Sequence, residues 1–167
     1  MRRISAWAVV WAGLLAAGCA PAAGPLGGPA TLGRVDRLDL WVAPAALDLD
    51  GQGGPDGVNM RLYLYEPGVS SQPGLASAGQ FEFLLYEGRL DPSDAPGLPG
   101  NRWQYTAGEL RGFFMPDKYG LGCYQATLSW PPGKSPASST VTLVARYTDP
   151  AGRVISSSPA NILMRAK

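Results

Sequence analysis

A strict two-residue alternation of apolar and polar side chains is the feature that most constrains this chain. Between 58 and 65 the apolar residues Val58, Met60, Leu62 and Leu64 alternate with polar or aromatic ones. A strand collects such residues on one face, whereas a helix would scatter them around its circumference. Similar segments recur along the 167 residues, separated by many of the 22 glycines and 16 prolines. The composition therefore predicts short strands joined by turns rather than long helices.

Seven segments carry this strand pattern. They are 35–42, 58–65, 80–87, 102–105, 122–130, 139–147 and 153–155, the last extended by 162–164. One short helix is predicted from Ala107 to Phe113, because Thr106 and Glu109 have the spacing of a capping box. The predicted fold class is all-β, an antiparallel β-sandwich of about seven strands with one short helix; an eight-stranded barrel is the alternative. The order of elements resembles immunoglobulin-like or fibronectin-III-like modules of bacterial surfaces, and the resemblance is one of architecture.

The N-terminal segment predicts export. Arg2 and Arg3 precede an uncharged stretch, 4–17, which has the layout of a signal peptide. The segment 15–19, Leu-Ala-Ala-Gly-Cys, resembles the lipobox of bacterial lipoproteins. This resemblance implies cleavage before Cys19, a diacylglyceryl group on its sulfur and an acylated amino group. A secretory peptide cut at another small residue such as Ala17, or an uncleaved N-terminal helix, remains open, and all three predict export.

The chain divides into a signal peptide (1–18), a lipidated cysteine with a Pro/Gly-rich linker (19–33) and a β-sandwich domain (34–167). The linker carries no charge between 20 and 33, which suits a tether. The expected location is the cell envelope, as a membrane-anchored lipoprotein of the outer membrane or the periplasmic face. Ala20 after the cysteine favours the outer membrane by the rule of the lipoprotein family, in a cell with two membranes.

The composition removes several classes of function. Histidine is absent, which excludes Ser-His-Asp and Cys-His nucleophiles, His-ligated zinc and a histidine switch. Without Arg2 and Arg3 the chain has 12 basic against 13 acidic residues, so no basic patch suggests nucleic acid. Cys123 lies on an apolar strand and is interpreted as a small buried hydrophobe. We expect that this protein is not an enzyme and that it has no cofactor.

An Asp/Gly-rich segment, 48–57, is a weak calcium candidate. Asp48, Asp50 and Asp56 would supply hard oxygen ligands, as in the D-x-D-x-D-G calcium loop that the segment resembles. Gln52 replaces the third acidic ligand, and Asn59 stands where a bidentate Glu belongs. The favoured interpretation is therefore a plain turn built from residues that tolerate unusual backbone angles.

Four aromatic residues lie opposite the apolar faces of their predicted strands: Trp41, Tyr63, Tyr65 and Tyr86. They could form a platform for a sugar or a partner protein, although cross-strand stabilisation is the favoured interpretation. The sequence thus predicts a lipid-anchored envelope protein with a non-catalytic binding or structural module. Its expected partners are the membrane, through the anchor, and an envelope protein or polysaccharide. The alternatives are a calcium- or carbohydrate-binding surface module and a small carboxylate-based hydrolase.

Overall fold

The computed structural model describes residues 29–68, 72–91, 93, 97–131 and 133–164. The predicted signal peptide, Cys19 and the linker up to residue 28 lie outside these residues. Within them the chain is all-β and mostly antiparallel, with one short α-helix. The all-β class predicted from the alternating pattern is therefore confirmed.

Eleven strands occur in the described residues. They are β1 (Thr31–Leu32), β2 (Arg37–Val42), β3 (Gly57–Tyr65), β4 (Leu75–Ala76), β5 (Gln80–Glu87), β6 (Asn101–Thr106), β7 (Phe114–Pro116), β8 (Gly122–Ser129), β9 (Thr140–Thr148), β10 (Val154–Ser156) and β11 (Ala160–Leu163). The helix α1 (Ala107–Leu110) runs into a 3-10 turn, Arg111–Phe113. The seven predicted strands correspond to eight of these, because the last one is divided into β10 and β11.

One sheet has the strand order β2-β3-β8-β7, with every neighbouring pair antiparallel. β3, one of its two inner strands, is the segment with the strict alternation. Val58, Leu62 and Leu64 are fully buried on the inner face, and Met60 is nearly so. The period of two thus assigns the faces of this sheet correctly, because successive side chains of a strand point to opposite sides.

The second large sheet has the order β10-β9-β5-β6, and β11 pairs with the same edge of β9 as β10 does. The inner faces of the two sheets pack against each other in one hydrophobic cluster. Phe81 of β5 lies 5.5 Å from Tyr124 of β8, measured between ring centroids. A backbone hydrogen bond also joins the two sheets along one margin. Ala46, in the segment after β2, donates its N–H to the carbonyl of Leu163 in β11 at 3.0 Å.

The two shortest strands, β1 and β4, form a small parallel sheet. Leu32 of β1 is buried in the core, so the stretch assigned to the linker ends in residues that pack on the domain. The Ala76 N–H of β4 donates to the Tyr124 hydroxyl at 3.0 Å, which fixes this sheet to the core. Two-residue strands carry no periodicity, and for that reason the sequence does not predict them.

The capping box of α1 is present as predicted. The Glu109 N–H donates to the Thr106 hydroxyl at 3.2 Å, and the Thr106 N–H donates to the Glu109 carboxylate at 2.6 Å. After the 3-10 turn the chain enters β7, which the sequence does not predict because three residues are too few to show an alternation. Pro116 is compatible with a strand here, since β7 lies at the edge of its sheet.

Candidate functional site

The outer face of the sheet β2-β3-β8-β7 carries the candidate site. Trp41 is paired in register with Arg61, and Arg61 with Gln125, so the three form one row across β2, β3 and β8. Asn59 and Thr127 form the next row. These residues alternate with the core residues of the same strands, and the pleat therefore turns their side chains away from the core.

A shallow groove of about 710 Å³ lies along these rows. Trp41 lines it with a side chain that is 67% exposed, and Phe113, from the 3-10 turn, is 43% exposed beside it. The polar lining residues are Asn59, Arg61, Gln125 and Thr127. The groove therefore combines exposed aromatic surface with amides, a hydroxyl and one guanidinium group. We call it the Trp41 groove.

The polar groups of the Trp41 groove retain unused hydrogen-bonding capacity. The Thr127 hydroxyl donates to the Asn59 carbonyl oxygen at 2.5 Å, which leaves the Asn59 amide N–H groups available. Gln125 donates one N–H to the Pro116 carbonyl at 3.3 Å, and its own side-chain carbonyl oxygen has no partner among the described residues. Arg61 is exposed and forms neither a hydrogen bond nor an ion pair with any residue that the structure describes.

A loop covers the part of the outer face that lies next to the Trp41 groove. The Tyr63 hydroxyl donates to the Asp117 carboxylate at 2.8 Å, and the same carboxylate accepts the N–H groups of Tyr119 and Leu121 at 2.8 and 2.9 Å. Burial, together with the hydrogen bond to Asp117, raises the pKa of Tyr63. Burial alone would raise the pKa of Asp117, but the three hydrogen bonds outweigh it and lower that pKa. Tyr63 is therefore a neutral donor to an ionised acceptor.

Cys123 lies under this loop on the outer side of β8, beside Met115 of β7. Its side chain is fully buried, as predicted, and burial raises the pKa of its thiol. A buried, protonated thiol is a poor nucleophile, because the thiolate is the reactive form. The structure therefore gives Cys123 a packing role.

The four aromatic residues singled out in the sequence do not form a common platform. Tyr63 and Tyr86 are buried, and Tyr86 belongs to β5 in the other large sheet. Tyr65 is half-buried beneath the guanidinium of Arg37, which lies 4.0 Å from the centre of its ring. Trp41 is the member of the four that is strongly exposed. Tyr65 is covered by its cross-strand neighbour Arg37, as the favoured interpretation predicts, whereas Tyr63 is bonded to the loop residue Asp117.

The structure brings the three aspartates of the calcium candidate together. Asp48, Asp50 and Asp56 each offer a carboxylate oxygen, and these oxygens all lie within 4.8 Å of one another. The loop itself uses these carboxylates: Asp56 accepts the N–H groups of Leu49 and Asp50 at 2.7 and 3.2 Å. Asp48 and Asp50 likewise accept N–H groups from inside the loop. These hydrogen bonds explain the convergence without an ion, and the calcium site stays a prediction.

The sequence did not single out Arg61, Gln125 or Phe113. The alternation of β3 does place Arg61 on the outer face, and this signal was present. The neighbours of Arg61 in the sheet are Trp41, 20 residues before it, and Gln125, 64 residues after it, and a local pattern does not contain such strand pairing. Phe113 reaches the groove only because the 3-10 turn redirects the chain after α1.

Comparisons with protein-family models, with curated proteins and with solved structures give no match to this chain. In the described part of the chain, no helix has the length and apolar character needed to cross a membrane.

Proposed function

We propose that this protein is an exported, lipid-anchored component of the cell envelope whose domain is a non-catalytic, immunoglobulin-like β-sandwich that binds a ligand in the Trp41 groove. The observation that carries the proposal is the juxtaposition of an exposed indole, Trp41, with a guanidinium, Arg61, that has no ion-pair partner among the described residues. Two antiparallel sheets with a common core support the sandwich architecture.

The exposure of Trp41 supports a binding role. A tryptophan that is 67% exposed leaves a large apolar surface in water, and covering that surface with a ligand is favourable. Tryptophan and arginine are also the residue types that most often dominate the energy of binding surfaces. The remaining polar lining residues are neutral amides and a hydroxyl, which can fix the orientation of a polar ligand.

The lining of the Trp41 groove supports a role without catalysis. Its described residues include neither a carboxylate nor a cysteine, and its hydroxyl, Thr127, donates to an amide rather than to a base. General acid–base and nucleophilic mechanisms need such groups within hydrogen-bonding reach of the substrate. The residues present can bind and orient a ligand.

The position of the groove is compatible with a tether at the N-terminus. The chain enters the domain through β1, and the Gly33 N–H donates to Glu66 at the end of β3, next to the start of β2. β2 then runs from Arg37 to Val42, which carries Trp41 roughly 13 Å from that end at about 3.3 Å per residue. The Trp41 groove therefore lies away from the end of β2 at which the chain enters this sheet.

Quenching of tryptophan fluorescence by acrylamide tests this function. The probes are purified peptidoglycan and capsular polysaccharide, added in detergent to the mature protein that begins at Cys19 and so lacks Trp7 and Trp11. Trp41 is far more exposed than Trp103 or Trp130, so acrylamide should quench its fluorescence most strongly. Ligand binding should reduce this quenching in the wild type and should have no such effect in Trp41→Phe. Trp41→Ala should weaken binding at least tenfold, whereas Tyr119→Ala, at an aromatic residue that is 75% exposed outside the groove, should not. Equal binding by Trp41→Ala and the wild type would overturn the proposal.

A further inference from the structure

We propose that the Trp41 groove recognises an acidic polysaccharide, with a sugar carboxylate bound by Arg61 and a sugar ring packed on Trp41. This inference rests on the proposed function and names the ligand class for the same groove. It depends on the charge of the groove, on the direction in which its residues are arranged, and on the chemistry of its polar lining.

The charge of Arg61 is not neutralised by the protein. Of the arginines in the described ranges, Arg61 and Arg111 are the two without an ion pair, and Arg111 lies outside the groove lining. Arg37, on the same outer face, shows the contrast, because it pairs with Asp39 at 3.2 Å and also covers Tyr65. An exposed guanidinium in a groove without carboxylates is complementary to an anionic ligand.

Asp117, an acidic group whose pKa is affected by the charge of Arg61, does not bind that guanidinium. Asp117 uses its two carboxylate oxygens to accept hydrogen bonds from Tyr63, Tyr119 and Leu121. The charge of Arg61 contributes to the lowered pKa of Asp117, after those hydrogen bonds, and no contact joins the two side chains. The guanidinium therefore keeps its planar set of N–H donors, which matches the two oxygens of a carboxylate.

The arrangement of the residues favours a polysaccharide over an extended peptide. The row formed by Trp41, Arg61 and Gln125 crosses three paired strands on the face of the sheet. A peptide that adds to a sheet binds along an open edge through its backbone, and the face offers side chains instead. Three strands at about 4.8 Å spacing place Trp41 and Gln125 roughly 10 Å apart, with Arg61 between them.

The polar lining matches the hydroxyl groups of a sugar. Asn59 retains its amide N–H donors, and Gln125 retains its carbonyl acceptor. The groove therefore has both a hydrogen-bond donor and an acceptor next to the guanidinium. The exposed indole face of Trp41 provides an apolar surface on which the C–H groups of a sugar ring can pack. An acidic sugar residue would contact all three features of the groove: its ring would pack on the indole, its hydroxyls would bond to the amides, and its carboxylate would bind the guanidinium.

Binding of polygalacturonate, and of the same polymer after reduction of its carboxyl groups, tests the inference. Affinity is measured by calorimetry on the full-length protein in detergent, with poly-L-glutamate as the acidic peptide probe. Wild-type protein should bind polygalacturonate at least tenfold more tightly than either other polymer. Arg61→Gln should lose about tenfold in affinity for polygalacturonate and little for the reduced polymer, since a charge-assisted hydrogen bond is lost only with the former. Arg111→Gln removes the charge of the other described arginine without an ion pair, which lies outside the groove lining, and should bind as the wild type does.

The outcomes separate this inference from the proposed function. If the reduced polymer binds as tightly as polygalacturonate, with loss in Trp41→Ala and no loss in Arg61→Gln, the groove is a binding site and its preference for acids is wrong. If poly-L-glutamate binds best, the ligand class is an acidic peptide and the inference is overturned. If Arg111→Gln weakens binding as much as Arg61→Gln, general electrostatic attraction explains the effect and the assignment to Arg61 fails. If polygalacturonate does not bind at all, the inference is wrong.

Discussion

The hydroxyl of Tyr63 donates a hydrogen bond of 2.8 Å to Asp117, a residue 54 positions further along the chain. This bond holds the loop between β7 and β8 against the outer face of β3. Cys123 is fully buried next to it, and Tyr63 itself is 8% exposed. The outer face of this sheet is therefore divided into a closed part around Tyr63 and an open part around Trp41.

Removal of the Tyr63 hydroxyl should expose Cys123. Tyr63→Phe leaves the loop without its side-chain bond to β3, and we expect faster reaction of Cys123 with a thiol reagent at neutral pH. The measurement uses a Cys19→Ser background, so that the signal comes from Cys123 alone. Tyr119→Phe is the control, because Tyr119 is 75% exposed and its backbone N–H, not its hydroxyl, bonds Asp117. Equal reaction rates in Tyr63→Phe and its parent would contradict the role of this bond.

Loss of the Tyr124 hydroxyl should destabilise the domain. Tyr124 is fully buried and accepts the Ala76 N–H at 3.0 Å, and burial raises its pKa to about 12. Tyr124→Phe leaves that buried N–H without a partner, which costs about 1–3 kcal/mol. Urea denaturation should show a lower midpoint with an unchanged slope. A midpoint equal to that of the wild type would show that the small parallel sheet does not depend on this bond.

The stability contributed by Glu87 should disappear in acid. Hydrogen bonds from Ser138, with a further one from the Ala137 N–H, lower the pKa of Glu87 below its usual 4.5, against the opposing effect of burial. Because the folded pKa lies below the unfolded one, this contribution is present above pH 4.5 and is lost as the pH falls through the folded pKa. Glu87→Gln should be less stable than the wild type at pH 7, and the difference should shrink in acid. A difference that is independent of pH would contradict the assignment.

Calcium should leave the melting curve unchanged. The carboxylates of Asp48, Asp50 and Asp56 already accept backbone N–H groups from their own loop. We therefore expect the same melting temperature with excess calcium and with chelator, in the wild type and in the Asp48→Asn, Asp50→Asn double variant. Binding would instead stabilise the fold by about 2.7 kcal/mol at a hundredfold excess over Kd. A calcium-dependent rise that the double variant abolishes would establish the metal site.

Lipidation should depend on Cys19. The wild type should carry acyl chains at a mature N-terminus that begins with this cysteine, and it should fractionate with membranes. Cys19→Ser should lose the added mass and leave the membrane fraction, since two or more acyl chains are needed for stable attachment. The mass of the acyl chains is measured by mass spectrometry of the intact protein. Cys123→Ser is the matched control, because Cys123 is buried inside the domain. An unmodified Cys19 in membrane-derived protein would contradict the anchor.

The sequence by itself determined the longer strands, their inner faces and the capped start of α1. These features depend on neighbours only a few residues apart: the alternation at 58–65 and the pair Thr106 and Glu109 are complete in the local sequence. For the candidate site it indicated that Trp41 and Arg61 face away from the core. It overestimated the exposure of Tyr63 and Tyr86, because an outward position on a strand does not specify whether a loop covers it.

Only the tertiary structure decided which outward residues meet and which remain open to solvent. The row of Trp41, Arg61 and Gln125 depends on the register of three strands, and a shift of one residue would turn each side chain to the opposite face. The Tyr63 hydroxyl is bonded to Asp117 in a distant loop. The small sheet of β1 and β4 is attached to the core through the bond between Ala76 and Tyr124. These contacts join residues about fifty positions apart, so their formation is decided by the packing of the whole domain rather than by local preference.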